Sequence, residues 1–153
     1  MKLFNHILTT TGAAVILARN VPIKLVDAPL ILTGSVLPDL LDKLLDRLLK
    51  RKTSDLFHSL FLWLIFLIVS LFVDKFFSIN AVETVHLWAL PLGGLIHLLF
   101  DSLSNKGIPI FLKGKRIAFN VYETGDALTE DNFAYLLTVI LILIGLWMWR
   151  YHS

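Results

Sequence analysis

The chain has no cysteine. Disulfides and thiolate metal sites are therefore excluded, and any metal must be held by His, Asp or Glu. Strong charge of either sign is also missing. The formal net charge is +2, too small to point to nucleic acid. There is no internal repeat and no low-complexity linker, so residues 1–153 read as a single domain. A small-residue cleavage site is wanting too. Arg19 and Asn20 follow the first apolar stretch, which suits signal-peptide removal poorly, and Met1 onward is read as mature protein.

What is abundant is apolar surface. The chain is 56% hydrophobic, with a mean hydropathy of +0.74. A soluble domain is about 45–50% apolar even when glycine is counted. The excess is gathered into runs. Residues 56–73 are interrupted only by His58, Ser59 and Ser70, and residues 133–149 carry no charge. A bilayer core takes about 20 mostly apolar residues in a helix. The expected fold is an all-α, polytopic membrane helical bundle of about five membrane segments, a single integral membrane domain.

The segments are expected at residues 3–18, 28–41, 56–73, 85–103 and 133–149. The first two are short for a span. The second also contains Gly34 and Pro38, so it reads as short or re-entrant. Residues 42–52 are charged, with Leu41, Leu44, Leu45, Leu48 and Leu49 recurring at helical spacing. That pattern predicts a separate amphipathic helix lying along the interface. Pro91, Gly93 and Gly94 in the fourth segment let a neighbour approach closely. Trp147, Trp149 and Tyr151 close the fifth as an aromatic belt.

Basic residues orient the chain. Lys43, Arg47, Lys50, Arg51 and Lys52 precede the third segment, and Lys106, Lys113, Lys115 and Arg116 follow the fourth. The hairpin at 74–84 has only Lys75 against Asp74 and Glu83. Both basic loops are expected in the cytoplasm, with the N-terminus in and the C-terminus out. Arg19 and Lys24 in an external turn run mildly against this.

Ionisable residues inside apolar segments are costly and point to function. Counted through the crossings, His6, Asp39, Asp42, His58, His97 and Asp101 gather at the cytoplasmic end. His97 and Asp101 are four apart, and Asp55 and His58 three apart, so each pair shares a helix face. A carboxylate and an imidazole on one face can hold one divalent ion, or the carboxylate can orient the imidazole from behind. Rival readings are structural. His97 with Asp101 can be a polar pair between helices, and Asp39 can cap a helix after Pro38. His86 and His152 can sit among headgroups, the basic run can serve topology and lipid contact, and Thr9–Thr11 can serve packing.

The motifs now carry a resemblance. Gly34-Ser35-Val36-Leu37-Pro38-Asp39-Leu40-Leu41-Asp42, Phe57-His58-Ser59-Leu60 and His97-Leu98-Leu99-Phe100-Asp101 stand in order. Gly107-Ile108-Pro109 and Tyr122-Glu123-Thr124-Gly125-Asp126 with Glu130 follow. The set resembles the YdjM-like inner-membrane metal-dependent hydrolases, a family distantly similar to zinc-dependent phospholipases C. The resemblance implies metal ligation by Asp39, His58, His97 and Asp101, with His6 in support. It implies a place in the cytoplasmic (inner) membrane of a bacterium or archaeon. The sequence departs from that pattern at Thr53 and Ser54, where the family often has His-Arg, and at Phe57, which replaces a Thr. Either Asp55 compensates, or fewer ions bind, or catalysis is lost.

The expected function is a membrane-embedded hydrolase with one or two divalent ions, zinc first and manganese second. Asp42 or Glu130 would act as base, although Glu130 can instead simply cap the last helix. Membrane lipid is the expected partner, and a phospholipid or other phosphoester the expected substrate. One rival is a non-catalytic membrane adaptor or remodelling protein retaining a structural metal site. Another is a small transporter, which clustering at one membrane face disfavours.

Overall fold

The computed structural model describes residues 3–19, 21–50, 56–77, 86–111 and 114–151. The described chain is mostly helical. Its helices are α1 (Leu3–Leu17), α2 (Ala28–Leu49), α3 (Leu60–Phe77), α4 (Ala89–Ser102) and α5 (Ala127–Tyr151). Short 3-10 turns at Leu25–Asp27 and Leu56–His58 lead into α2 and α3. Strands β1 (Ile108–Pro109) and β2 (Arg116–Ile117) form a small antiparallel hairpin after α4.

Two sequence expectations are corrected here. The second segment and the interfacial helix are one helix, α2, running through Pro38 to Leu49. Pro38 removes one N–H and opens the preceding turn, but the leucine periodicity beyond it continues unbroken. One residue past the Gly34 carbonyl that Pro38 cannot serve, the Ser35 carbonyl accepts from Nδ1 of His97 at 2.6 Å. Lys50, with a left-handed φ of 48°, then stops the helix. Of the leucines expected to form its apolar face, Leu44, Leu48 and Leu49 are exposed, with Leu40 beside them, while Leu41 and Leu45 are half-buried. Second, the helix starts move. α3 begins at Leu60, α4 at Ala89, and α5 reaches back to Ala127. Expectations resting on Arg51, Lys52, Thr53, Ser54, Asp55, Glu83, Lys113 and His152 lie outside the described residues.

The main helix contacts pair α2 with α4 and α1 with α5. Three glycines make the α2–α4–α3 contact possible. A Cβ on Gly34 would lie 1.9 Å from the Leu90 carbonyl oxygen, and one on Gly93 2.0 Å from that of Ile31. A Cβ on Gly94 would meet the Trp63 ring at 2.2 Å. Any side chain there would push backbones apart, so α2 and α4 approach as small-residue interfaces in membranes do. Ile31, Trp88, Ala89, Ile96 and Phe100 fill the core around this crossing. Trp63 is fully buried, and its indole N–H donates to the Phe57 carbonyl at 2.6 Å.

Helix directions place the polar groups. Asn5 donates to Asp131 at 2.8 Å, and Arg19 donates to the Met148 carbonyl, so α1 and α5 run the same way. Asp74 near the end of α3 accepts from the Trp88 N–H just before α4, so those two run oppositely. The start of α1, the turn before α3, the end of α4 and the start of α5 therefore share one end. The outward faces of α3 and α5 are apolar, with Ile68, Phe72, Leu136, Leu143 and Leu146 exposed. Ala127–Arg150 is long and apolar enough to cross a membrane, and α1 and α4 are shorter apolar helices.

Candidate metal centre

The helical spacing of His97 and Asp101 delivers a contact. His97 Nε2 lies 3.2 Å from Asp101 Oδ2. His97 is fully buried, and its Nδ1 is 2.6 Å from the Ser35 carbonyl oxygen. A carbonyl only accepts, so Nδ1 carries the hydrogen and Nε2 presents its lone pair.

His58 is held in the same manner by a carboxylate. Its Nδ1 lies 2.6 Å from Asp42 Oδ2, while Asp42 Oδ1 accepts the Phe57 N–H at 3.0 Å. Asp42 thus stands behind the ring and turns Nε2 inward. That Nε2 is 3.3 Å from Asp39 Oδ1, 3.4 Å from Asp101 Oδ2 and 3.2 Å from His97 Nε2. His6 completes the group from α1. Its ring stacks on His97 with centroids 3.7 Å apart, and its Nε2 is 3.5 Å from Asp101 Oδ1. His6 is fully buried and neither ring nitrogen has a hydrogen-bond partner.

These separations have a coordination meaning. Ligand atoms about 2.0–2.1 Å from a tetrahedral ion lie about 3.3 Å from one another. Two sets of three ligand atoms, His6–Asp39–His97 and His58–His97–Asp101, each fall within 4.8 Å. They share His97, and Asp101 turns one oxygen to each side. A buried imidazole without partners is costly unless something binds it, so the residues fit a divalent ion.

The electrostatics ask for a cation. His58 sits in the turn ahead of α3, outside its span. Burial pushes its pKa down, but hydrogen bonds with Asp101, Asp39 and Asp42 outweigh that and raise it to about 11. In the absence of an ion, a proton on this ring supplies the positive charge. Asp39, His58 and Asp101 open onto a cavity of about 280 Å³ also bordered by Lys106 and Arg116. A larger, more open depression beside Asn105, Glu123 and Asn132 touches none of these ligand candidates.

The structure thus brings His6, Asp39, His58, His97 and Asp101 together, with Asp42 behind His58. Glu130 stands apart from them. Its Oε1 accepts the Gly125 N–H at 2.9 Å, which ties the loop to the start of α5. The Ser35 carbonyl had no signal in the sequence, because every residue has one. Lys106 and Arg116 carry a signal, but charge in a loop points only to orientation. At the other end stands Asp27, which neither a motif nor helical spacing singles out in the sequence. It is fully buried and holds the His86 ring at 2.9 Å and its N–H at 2.8 Å.

No curated protein and no solved structure is significantly similar to this chain. The family model described as the YdjM inner membrane protein matches residues 1–152. The chain belongs to the YdjM inner membrane protein family.

Proposed function

We propose that this chain is a membrane-embedded, metal-dependent hydrolase whose ion is held by His97, His58, Asp101, Asp39 and His6. One observation carries the reading. The Nε2 atoms of His58 and His97 face each other at 3.2 Å, although each ring already has an acceptor at Nδ1. A cation shared between the two nitrogens suits this arrangement, a metal ion or, in its absence, the proton on His58. The unpartnered His6 beside them adds a third nitrogen ligand.

A divalent ion there supplies Lewis acidity and a water of lowered pKa, and zinc or manganese suits the His and Asp donors. The chain's own residues do the rest. Asp42 orients His58. Asp39 borders the cavity, where a carboxylate can accept a proton from an attacking water. The cavity also favours catalysis over a purely structural ion, because structural sites are closed by protein ligands on all sides. Lys43, Arg47 and Lys50 at the end of α2, with Lys106, Lys115 and Arg116 in the loop after α4, make this end basic, which supports a polytopic chain with the site at the cytoplasmic face.

Elemental analysis of the chain purified in detergent tests the reading. One or two equivalents of zinc or manganese are expected, with loss in His97→Ala. Hydrolysis of bis(p-nitrophenyl) phosphate should stop with EDTA and return with metal. A metal-free chain would overturn the site. A metal-loaded chain that cleaves no phosphoester would leave the adaptor reading in its place.

A further inference from the structure

Thr9, Thr10 and Thr11 follow one another on α1, and the middle one behaves differently. Thr9 and Thr11 donate to the Asn5 and Ile7 carbonyls four residues back, each at 2.8 Å. Thr33, Thr129 and Thr138, the other threonines of the described helices, also donate to a carbonyl three or four residues back. Thr10 does not. Its side chain is fully buried, and its hydroxyl has no hydrogen-bond partner among the described residues. A helical threonine ordinarily satisfies its hydroxyl on its own helix, and leaving a buried one unserved is costly.

His6 stands one turn before Thr10, on the same face of α1. Side chains on a helix lean toward its start, so the one at Thr10 leans back toward the stem of the His6 ring. Nδ1 lies beside that stem, whereas Nε2 at the tip is 3.5 Å from Asp101 Oδ1. The other two candidate imidazoles each have an acceptor at Nδ1, the Ser35 carbonyl for His97 and Asp42 for His58. His6 has a partner at neither ring nitrogen among the described residues. With the Nε2 lone pair given to an ion, the ring hydrogen sits on Nδ1, and a buried N–H there needs an acceptor.

We propose that Thr10 is the positioning residue for His6. Its hydroxyl takes the Nδ1 hydrogen, directly on rotation of the side chain or through one buried water, and so aims Nε2 at the ion. The inference rests on the metal site proposed above and goes beyond its ligands. One link accounts for two buried groups that otherwise lack partners. It also gives every candidate imidazole of the site an acceptor behind the ring. Packing alone needs no hydroxyl here, since valine has the same shape as threonine.

Zinc titrated into the full chain in detergent, against a competing chelator, tests this. The visible absorption of the cobalt-loaded chain reports the ligand geometry on the same variants, and thermal denaturation confirms that each one folds. Thr10→Val keeps the shape and removes the hydroxyl. It should lower metal affinity by about tenfold or more and change the cobalt bands. Thr10→Ser should recover most of the affinity. Thr10→Ala gives a second deletion should valine crowd the helix contact. In a His6→Ala background, Thr10→Val should cost no further affinity, because Thr10 acts only through His6. Wild-type affinity and cobalt bands in both Thr10→Val and Thr10→Ala overturn the inference, as does an equal loss with and without His6. Either result leaves the metal site standing. A wild-type chain that binds no metal overturns that site, and this inference with it.

Discussion

The Ser35 carbonyl accepts a hydrogen bond from His97 Nδ1 at 2.6 Å across the α2–α4 crossing. That bond sets which nitrogen of His97 is available, and it exists only because the two backbones nearly touch at Gly34 and Gly93. Packing and site chemistry are therefore coupled in this protein. Gly93→Ala should put a methyl group 2.0 Å from the Ile31 carbonyl oxygen. Separation of the helices should cost about 3 kcal/mol and weaken metal binding as well. Thermal denaturation in detergent and elemental analysis check both effects. A stable, metal-replete Gly93→Ala would show that the crossing is not needed.

Asp42 contacts His58 and the Phe57 N–H. Its predicted role is positioning. Asp42→Asn should lower metal affinity by about 10–100-fold, and His58→Ala should lower it further. Titration with zinc against a competing chelator reads both. Intact affinity with activity abolished in Asp42→Asn would instead make Asp42 the base.

Glu130 should be dispensable for chemistry. Glu130→Gln keeps an acceptor for the Gly125 N–H, so metal content and activity should stay at wild-type levels. Glu130→Ala should cost about 1 kcal/mol of stability by removing that bond. Activity lost in a folded Glu130→Gln would return the residue to the site.

The opposite end carries a pH dependence. Burial works to raise the pKa of Asp27, but hydrogen bonds from His86 and the Lys24 N–H outweigh it and hold the carboxyl below its ordinary range. A carboxylate with a depressed native pKa adds stability above its unfolded value of about 3.9. That stability is lost as pH falls through the lower native value. Asp27→Asn should therefore melt below wild type at pH 7, and the gap should shrink below about pH 4. A gap that does not change with pH would sink the assignment.

Orientation is the remaining prediction. Gly114 lies in the hairpin loop with open space around it. A reporter inserted there should read as cytoplasmic, and one following Arg150 should read on the other side. A Gly114 reporter that reads outside would overturn the cytoplasmic site, and the same side for both would remove the crossing by α5.

Membrane residence was legible in the chain itself, because hydropathy is a property of composition and run length. The His97–Asp101 pair was legible as well. Four residues on a helix share a face whatever the rest of the chain does. Asp39, His58 and His6 could be gathered only by counting crossings and by likeness to a family, since nothing local links them.

Tertiary structure decided the rest. Pro38 signals a break, yet α2 runs on to Leu49, because packing against α4 outweighs the one hydrogen bond that proline cannot give to the Gly34 carbonyl. Asp42 reads as a base by type, but its oxygens are taken up by His58 and a backbone N–H. Arg116 reads as a topology signal, and strand alternation with two carbonyls turns it to the cavity. Sequence spacing determines which groups share one element. Which nitrogen is free, and which carboxylate stands in front of a ring or behind it, depends on contacts between elements, and those are set by how closely the backbones pack.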